Sequence, residues 1–396
     1  MFTFIYLLCS LLVGYLTFNV LYIFVFAFAG RYGKADDTPL SKATIRLRRI
    51  AVLIPAYKED AVITDSVEVN LRQTYPNTMY DLIVIADSFQ PQTLERLSQY
   101  PIKVVPVQFE QSTVQKSISY VLNALPENMY DVVVISDADN HMEPDFLDHI
   151  NRAFDQGFRA VQGHRTAKNT NTSVAIFDAM NEEVNNTFLR AGQRALGCSA
   201  TPIGSGMAFE PTMMKRALNE LQTVSGYDKE LEMLLGLQDI PMAYLKNAVI
   251  YDEKVQNIAV FKRQRTRWVA AQMYFIKAYF KTGIKQLFKG NWQVFNALAK
   301  ALLLPRMLLL AALVLLVLIS LVVGEPAMQW FAFVMLGLFG CGLFIAIPTA
   351  LIKKVSIRDF AVLPSLIFGM FRSLFKFREA GKKFIHTPHT GTSELI

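Results

Sequence analysis

The stretch Val132-Val133-Val134-Ile135-Ser136-Asp137-Ala138-Asp139 decides the fold. Four β-branched residues in a row leave no polar face. A strand made of them is therefore covered on both sides, as in a parallel sheet flanked by helices. The chain then turns polar at once, with two carboxylates one residue apart. In extended backbone alternate side chains point the same way, so Asp137 and Asp139 can face one ligand. On its own Asp-x-Asp is a common loop sequence. At the carboxyl end of a buried strand, where ligands of such sheets bind, it reads as a clamp for a diphosphate and a hard divalent cation.

Outward from this point, short apolar runs at 50–54, 82–85, 104–107 and 159–161 alternate with helical periodicity, for instance over 114–125. This alternation predicts an α/β domain with a doubly covered, largely parallel sheet. Two more strand ends carry polar residues, Pro55-Ala56-Tyr57-Lys58-Glu59 and Ala86-Asp87-Ser88. Asp87 suits hydrogen bonds from a base or ribose, or a turn cap. Lys116, within a helix, suits a phosphate or plain solvent. Gly204-Ser205-Gly206 either lets a ligand approach the backbone closely or makes a tight turn. Asp228, at the start of a predicted helix, fits a cap or a general base within reach of a hydroxyl.

The flanks of this domain read differently. Of the 396 residues, 52% are hydrophobic, above the usual level of soluble domains. No charge occurs over 2–29, and as a helix this stretch is roughly 40 Å long, more than the ~30 Å hydrocarbon core. Ala27-Phe28-Ala29 resembles a signal-peptide cleavage site, but no basic residue precedes the apolar run and the run is too long, so an anchor is expected. Two further spans are expected at 307–323 and 328–352. Arg31, Lys34, Lys42, Arg46, Arg48 and Arg49 follow the first span, Lys353, Lys354 and Arg358 follow the last, and the connector 324–327 has no basic residue. The positive-inside bias then puts the central domain and the C-terminus in the cytosol, with the cell (inner) membrane as the expected location. The net charge of +7 is thereby explained by membrane flanks rather than by nucleic acid. Three cysteines, two inside expected spans, make no disulfide or metal framework. Lys277, Lys281, Lys285 and Lys289 recur every four residues beside Tyr274, Phe275, Tyr279, Phe280 and Phe288, which predicts an interfacial helix on anionic lipid. The expected organisation is thus a membrane helix at 1–30, a basic linker at 31–49, the α/β domain at 50–256, the interfacial helix at 257–290, two membrane helices within 299–352, and a second interfacial helix and tail at 353–396.

Taken in order, Asp87, Lys116, Asp137-x-Asp139, the glycine-rich turn, Asp228 and Gln264-Arg265-Thr266-Arg267-Trp268 resemble the processive membrane-integrated family 2 glycosyltransferases, the group of cellulose, hyaluronan, chitin and poly-N-acetylglucosamine synthases. The similarity runs from about Ile50 to Trp268, and Gln-x-x-Arg-Trp is its most specific element. The resemblance implies a GT-A-like fold and an inverting enzyme that uses a UDP-sugar donor with Mg²⁺ or Mn²⁺. It places Pro55, Tyr57, Glu59 and Asp87 around the nucleoside and Lys116 on the donor. Asp137 and Asp139 would hold the diphosphate and metal, and Asp228 would be the base. Gln264, Arg267 and Trp268 would line the acceptor end, Arg267 near the diphosphate and Trp268 stacked on a sugar ring, with Gly204, Ser205 and Gly206 alongside.

The chain departs from the family in two places. Gly226-Tyr227-Asp228 stands where Thr-Glu-Asp is usual, so Glu230 and Glu232 are alternative bases. Phe384-Ile385-His386-Thr387-Pro388-His389 loosely matches a gating loop, with Phe384, Thr387 and His389 at its key positions, or is a plain tail. The expected product is a β-linked polysaccharide leaving through the membrane part, with further copies or accessory export subunits as partners. The alternative is a single transfer to a lipid, a polyprenyl phosphate or ceramide. A scaffold with a decayed transferase domain is the non-enzymatic alternative; all but one of the expected carboxylates are present, which opposes it.

Overall fold

The structure, a computed structural model, describes residues 2–34, 36, 46–223 and 226–380. Phe384, Thr387 and His389 lie outside the described residues.

The described strands are β1 (Ile50–Tyr57), β2 (Tyr80–Asp87), β3 (Lys103–Val107), β4 (Val132–Ile135), β5 (His141–Met142), β6 (Ala160–Ala167), β7 (Met207–Phe209) and β8 (Met242–Asp252). They form one sheet in the order β3-β2-β1-β4-β7-β6-β8-β5. The four strands β3, β2, β1 and β4 are parallel, as expected. The other half is mixed, while the sheet as a whole is largely parallel, as expected. The three-residue β7 is antiparallel to both β4 and β6, and β5 is antiparallel to β8, while β6 and β8 run parallel.

Both faces are covered. Ile50, Val52 and Ile54 pack with Ile63 and Val67 of helix Ile63–Asn70 and with Phe146, Leu147 and Ile150 of helix Phe146–Asp155. Ala51, Leu53, Val133 and Ile135 pack on the opposite side with Ile118 and Val121 of helix Val114–Ala124, Met214 and Ala217 of helix Pro211–Glu220, and Leu231 and Leu235 of helix Tyr227–Leu237. Each fully buried Ile, Leu or Val of this core contributes ~1.5–3 kcal/mol relative to exposure. Consecutive strand residues thus serve two cores, which is why the runs read as continuously apolar.

Among the described residues three helices are long and apolar enough to cross a membrane: Leu7–Tyr32, Arg306–Val323 and Pro326–Ala346. The third ends six residues short of the expected boundary at 352. Ile347 precedes Pro348 and takes extended backbone (φ −93, ψ 130), as the proline ring requires, so the chain breaks there before the short helix Thr349–Ile352. Leu16, Val20, Ile23 and Ala27 pack with Leu309, Leu313, Met335 and Phe339 inside this bundle, and Val184, Phe188 and Cys198 of the α/β domain join the same cluster. Leu11, Leu315, Val322 and Phe344 point outward and are exposed.

The first span is locked to the α/β domain at backbone contact. A Cβ added to Gly30 would lie 2.1 Å from Thr187 O, and one added to Gly192 would lie 1.9 Å from Phe26 O. Only glycine permits this approach. Just beyond, Asp36 accepts from Arg194 Nε at 2.5 Å and from Tyr244 N at 3.1 Å, tying the chain to β8.

The helix Ile258–Phe288 carries the Gln-x-x-Arg-Trp residues. Lys277, Lys281, Lys285 and Lys289 are all exposed on it, with Tyr274, Phe280 and Phe288 exposed beside them. Phe275 is buried, packed with Met233 and Val294. The helix Leu363–Ala380 lies along it, with Thr266 Oγ1 2.9 Å from Ser373 Oγ.

Candidate active site

The carboxyl ends of β1, β2 and β4 open on one side of the sheet. Tyr57 is in register with Asp87, and Lys58 N donates to Asp87 O at 3.1 Å. Asp87 is fully buried. Its Oδ1 accepts from Ser88 Oγ at 2.9 Å, whereas its Oδ2 has no hydrogen-bond partner. A buried carboxylate oxygen left unsatisfied costs free energy, and a ligand N–H or O–H removes that cost. Glu59 is buried next to it, and Pro55 sits inside β1 opposite Ile85. Lys116 is placed otherwise. It is exposed, and its ammonium donates to Gln111 O at 3.0 Å, closing the turn that leads into its own helix.

The Asp-x-Asp segment is held from below. Ser205 is fully buried, and its Oγ accepts from Asp137 N at 2.9 Å and from Asn140 Nδ2 at 2.7 Å. Gly206 N donates to Ile135 O at 2.8 Å, and Gly206 (φ +64) has Ile250 Cγ2 where a Cβ would sit, at 2.7 Å. The glycine-rich turn therefore supports the aspartates, with the Ser205 side chain sealed in the core. Gly204 (φ +88) has open space around it, and its carbonyl accepts from Tyr227 Oη at 2.9 Å. Asp139 is buried with Oδ2 accepting from Glu253 N at 2.9 Å, while Lys168 Nζ donates to its carbonyl at 3.1 Å. Among the described residues no group of three or more His, Cys, Asp or Glu side chains could hold a metal alone. Two carboxylates at a strand end nevertheless fit Mg²⁺ or Mn²⁺, because such ions take hard oxygens and complete their shell with phosphate oxygens and water.

Three segments far apart in sequence meet over these aspartates. Burial lowers the pKa of Arg267, and the charges of Asp137 and Asp228 act against that, so the guanidinium lies within electrostatic reach of both carboxylates. Burial raises the pKa of Asp228 above the carboxylate value of 3.8, an effect that Lys229 and Arg165 partly offset. Tyr227 is pushed up by burial and then by the same two aspartates. The meeting depends on Gly226 (φ +72), where a Cβ would lie 2.7 Å from Ala271 Cβ of the 258–288 helix. Glycine in place of the family's threonine thus lets that helix close against the start of helix Tyr227–Leu237.

The alternative bases are committed elsewhere. Glu230 accepts from Gln222 N (3.1 Å), Thr223 N (2.8 Å) and Tyr279 Oη (2.6 Å). Glu232 is buried against Lys300 and Thr201. Asp228 differs from them in that burial raises its pKa and its charge reaches Arg267. Gln264 Oε1 is buried without a partner, and Trp268 is 37% exposed with the Arg265 guanidinium 4.0 Å from its ring centre.

Sequence reading missed a buried ionic network behind the site. Arg165 pairs with Glu182 (3.0 Å) and Asp252 (3.5 Å), Arg190 pairs with Glu182 (3.2 Å), and Lys254 pairs with Asp252 (2.6 Å). Burial works to raise the Glu182 pKa, but Arg165, Lys254 and Arg190 hold it well below the usual range. Burial likewise works to lower that of Arg165, and Glu182, Asp252 and Asp137 raise it. Such charges come from distant segments of the chain, so their pairing leaves no local pattern. Tyr227, by contrast, stood inside a motif that departs from the family.

Residues 48–271 match the family described as glycosyltransferase like family 2. The chain belongs to this family. The probable glycosyltransferase YdaM of Bacillus subtilis (strain 168) is 23% identical over 252 residues, 61% of this chain and 60% of that protein, so the match spans less than two thirds of the relative's length. Among solved structures, the mannosyltransferase PcManGT from Pyrobaculum calidifontis, in complex with GDP-Man and Mn²⁺, covers 93% of this chain and 97% of its own at 15% identity and a TM-score of 0.55. The two share the fold. The glucosyl-3-phosphoglycerate synthase from Mycobacterium tuberculosis, in complex with Mn²⁺, UDP and phosphoglyceric acid, covers 68% of this chain and 87% of its own at 18% identity and a TM-score of 0.38. In this family 2 glycosyltransferase Asp137, Asp228 and Arg267, from three distant segments, lie within electrostatic reach of one another.

Proposed function

We propose that the chain transfers a sugar with inversion from a nucleoside diphosphate donor to an acceptor presented at the membrane face. The observation that carries this reading is that the charges of Asp137, at the carboxyl end of β4, and of Asp228 both reach the buried Arg267. Asp228 takes the proton of the acceptor hydroxyl as its oxygen attacks the anomeric carbon. The bond from that carbon to the donor diphosphate breaks on the opposite face, and Arg267 and Arg165 offset the charge that leaves. Mg²⁺ or Mn²⁺, held by Asp139 and Asp137, supplies further neutralisation of the diphosphate. The unsatisfied Asp87 Oδ2 binds the base or ribose, with Tyr57 and Glu59 beside it. UDP-sugars remain the expected donors. Guanosine donors belong in the same test, because Asp87 accepts an N–H from either base and PcManGT was solved with GDP-Man.

A lipid-borne acceptor fits better than a polymer exported by one chain. The span interior is filled by Leu16, Val20, Leu309, Leu313, Met335 and Phe339, and a polysaccharide needs a polar path. The processive reading keeps the support of the Gln264, Arg267 and Trp268 spacing and needs further copies or accessory subunits to form the channel. The basic flanks Arg31, Lys34, Lys353, Lys354 and Arg358 favour a cytosolic catalytic domain in the cell membrane. Purified protein in nanodiscs, supplied with UDP-glucose, UDP-N-acetylglucosamine, UDP-galactose, UDP-glucuronate or GDP-mannose plus Mn²⁺, should release nucleoside diphosphate and lose that activity in excess EDTA. Mass analysis separates one lipid-linked sugar from a polymer. No release from any donor, with or without polyprenyl phosphate or ceramide, would defeat the proposal.

A further inference from the structure

We propose that Arg265 and Asp178 fix the orientation of Trp268, so that the indole presents one set face to a sugar ring. This rests on the reading of Trp268 as an acceptor contact. Arg265 lies inside Gln264-Arg265-Thr266-Arg267-Trp268 but is not one of its motif positions. It is 5% exposed. On the 258–288 helix, Phe261, Arg265 and Trp268 stand four and three residues apart and so share one face. The guanidinium lies 4.6 Å from the Phe261 ring centre and 4.0 Å from that of Trp268. Its Nη2 donates to Asp178 Oδ1, a buried carboxylate on the separate helix Ser173–Asn185.

Each contact removes a freedom. Asp178 fixes the guanidinium in position, and its central carbon lies over the indole ring. The exposed part of Trp268 is then the surface turned away from Arg265. Lysine can pair with Asp178, but it has no plane to lay against the ring. A buried ion pair is by itself weak evidence for stability, and here Arg265 Nε is also buried without a partner. An arrangement that leaves a donor unsatisfied yet pins a flat cation beneath a motif tryptophan is better explained by orientation. The same helix carries Glu182, which holds Arg165, and Arg165 senses Asp137. Donor and acceptor sides are thereby referred to one rigid element.

Arg265 is therefore a positioning residue, and its effect must pass through Trp268. The test uses the full chain in nanodiscs with Trp292→Phe and Trp330→Phe, which leaves Trp268 as the one tryptophan. Arg265→Met/Asp178→Asn removes both charges together, and Arg265→Lys keeps the ion pair while losing the stack. Butyl β-glucoside and butyl β-mannoside serve as sugar-ring probes, read by competition with transfer and by tryptophan emission. Expected are a red shift and lower anisotropy of Trp268 emission in both variants. Probe affinity should be ~10-fold weaker in the charge-free variant, with donor KM unchanged. In a Trp268→Ala background, the Arg265 substitutions should add no further loss. Unchanged emission in Arg265→Lys, or an equal Arg265 effect with and without Trp268, overturns the proposal alone. Probe affinity indifferent to Trp268→Ala overturns the acceptor reading and the proposal with it. A charge-free variant that fails to fold leaves Arg265→Lys to decide by the same readouts.

Discussion

Asp228→Asn should abolish transfer while leaving donor binding and the fold intact. The substitution is nearly isosteric, so helix Tyr227–Leu237 keeps its start, but the amide cannot take a proton. Loss of a general base typically costs ~10²–10⁴-fold in rate. The structure argues for the upper half of that range, because no neighbour can stand in. Glu230 already accepts three hydrogen bonds, from Gln222 N, Thr223 N and Tyr279 Oη, and Glu232 is paired with Lys300. Asp137 lies within electrostatic reach of Arg165 and Arg267. A loss of ~10³-fold corresponds to about 4 kcal/mol of transition-state stabilisation. The assay is continuous release of nucleoside diphosphate, with donor affinity measured separately. In the native enzyme the base must be ionised, so the rate should fall as pH drops through the Asp228 pKa, and burial displaces that limb above 3.8. The stability sign runs the other way. A carboxyl whose folded pKa is raised favours the native state when protonated, and this contribution is lost as pH rises through the window above 3.8. At neutral pH the asparagine removes a desolvated charge, so Tm should stay level or rise. A variant retaining more than about a tenth of native kcat would refute the assignment of Asp228 as base.

Ser205→Ala strands the Asp137 and Asn140 donors in the core; a destabilisation of ~1–3 kcal/mol and a raised donor KM are expected, checked by thermal unfolding and kinetics. Gly192→Ala puts a methyl 1.9 Å from Phe26 O, so the two helices must part; overpacking of this kind costs ~1–3 kcal/mol, visible as a lower Tm in detergent. Replacing Lys277, Lys281, Lys285 and Lys289 by Gln should bring activity in phosphatidylglycerol nanodiscs down to the phosphatidylcholine level, since each surface lysine near anionic lipid is worth ~1 kcal/mol. An unchanged ratio between the two lipids would remove the interfacial role of this helix.

The parallel half of the sheet was legible because β1, β2 and β4 are buried on both faces and so read as continuous apolar runs. β7 was not, since three residues after a glycine turn carry no period, and its antiparallel insertion is settled only by the partners β4 and β6. β8 was missed for another reason: its eleven residues include Lys246 and Asn247 at a bulge opposite Gly163 and His164, which breaks the pattern. At the site, Asp137, Asp139 and Arg267 could be picked out by motif. The support from Ser205, the closure at Gly226 and the Asp178–Arg265 pair could not, because each depends on which distant backbone arrives beside it. Lys116 is the other kind of case, a residue picked by type and spacing whose exposed ammonium donates to Gln111 O of the turn before its helix.

The backbone contacts at Gly30 and Gly192 work as a height gauge. With Thr187 and Phe26 pressed into those gaps, the first apolar helix and the α/β domain meet without slack at these two points. On the proposed reading the distance from the bilayer plane to Asp228 is then a built dimension of the molecule, and a lipid-borne acceptor hydroxyl would be measured against it, reaching Asp228 only at the matching elevation.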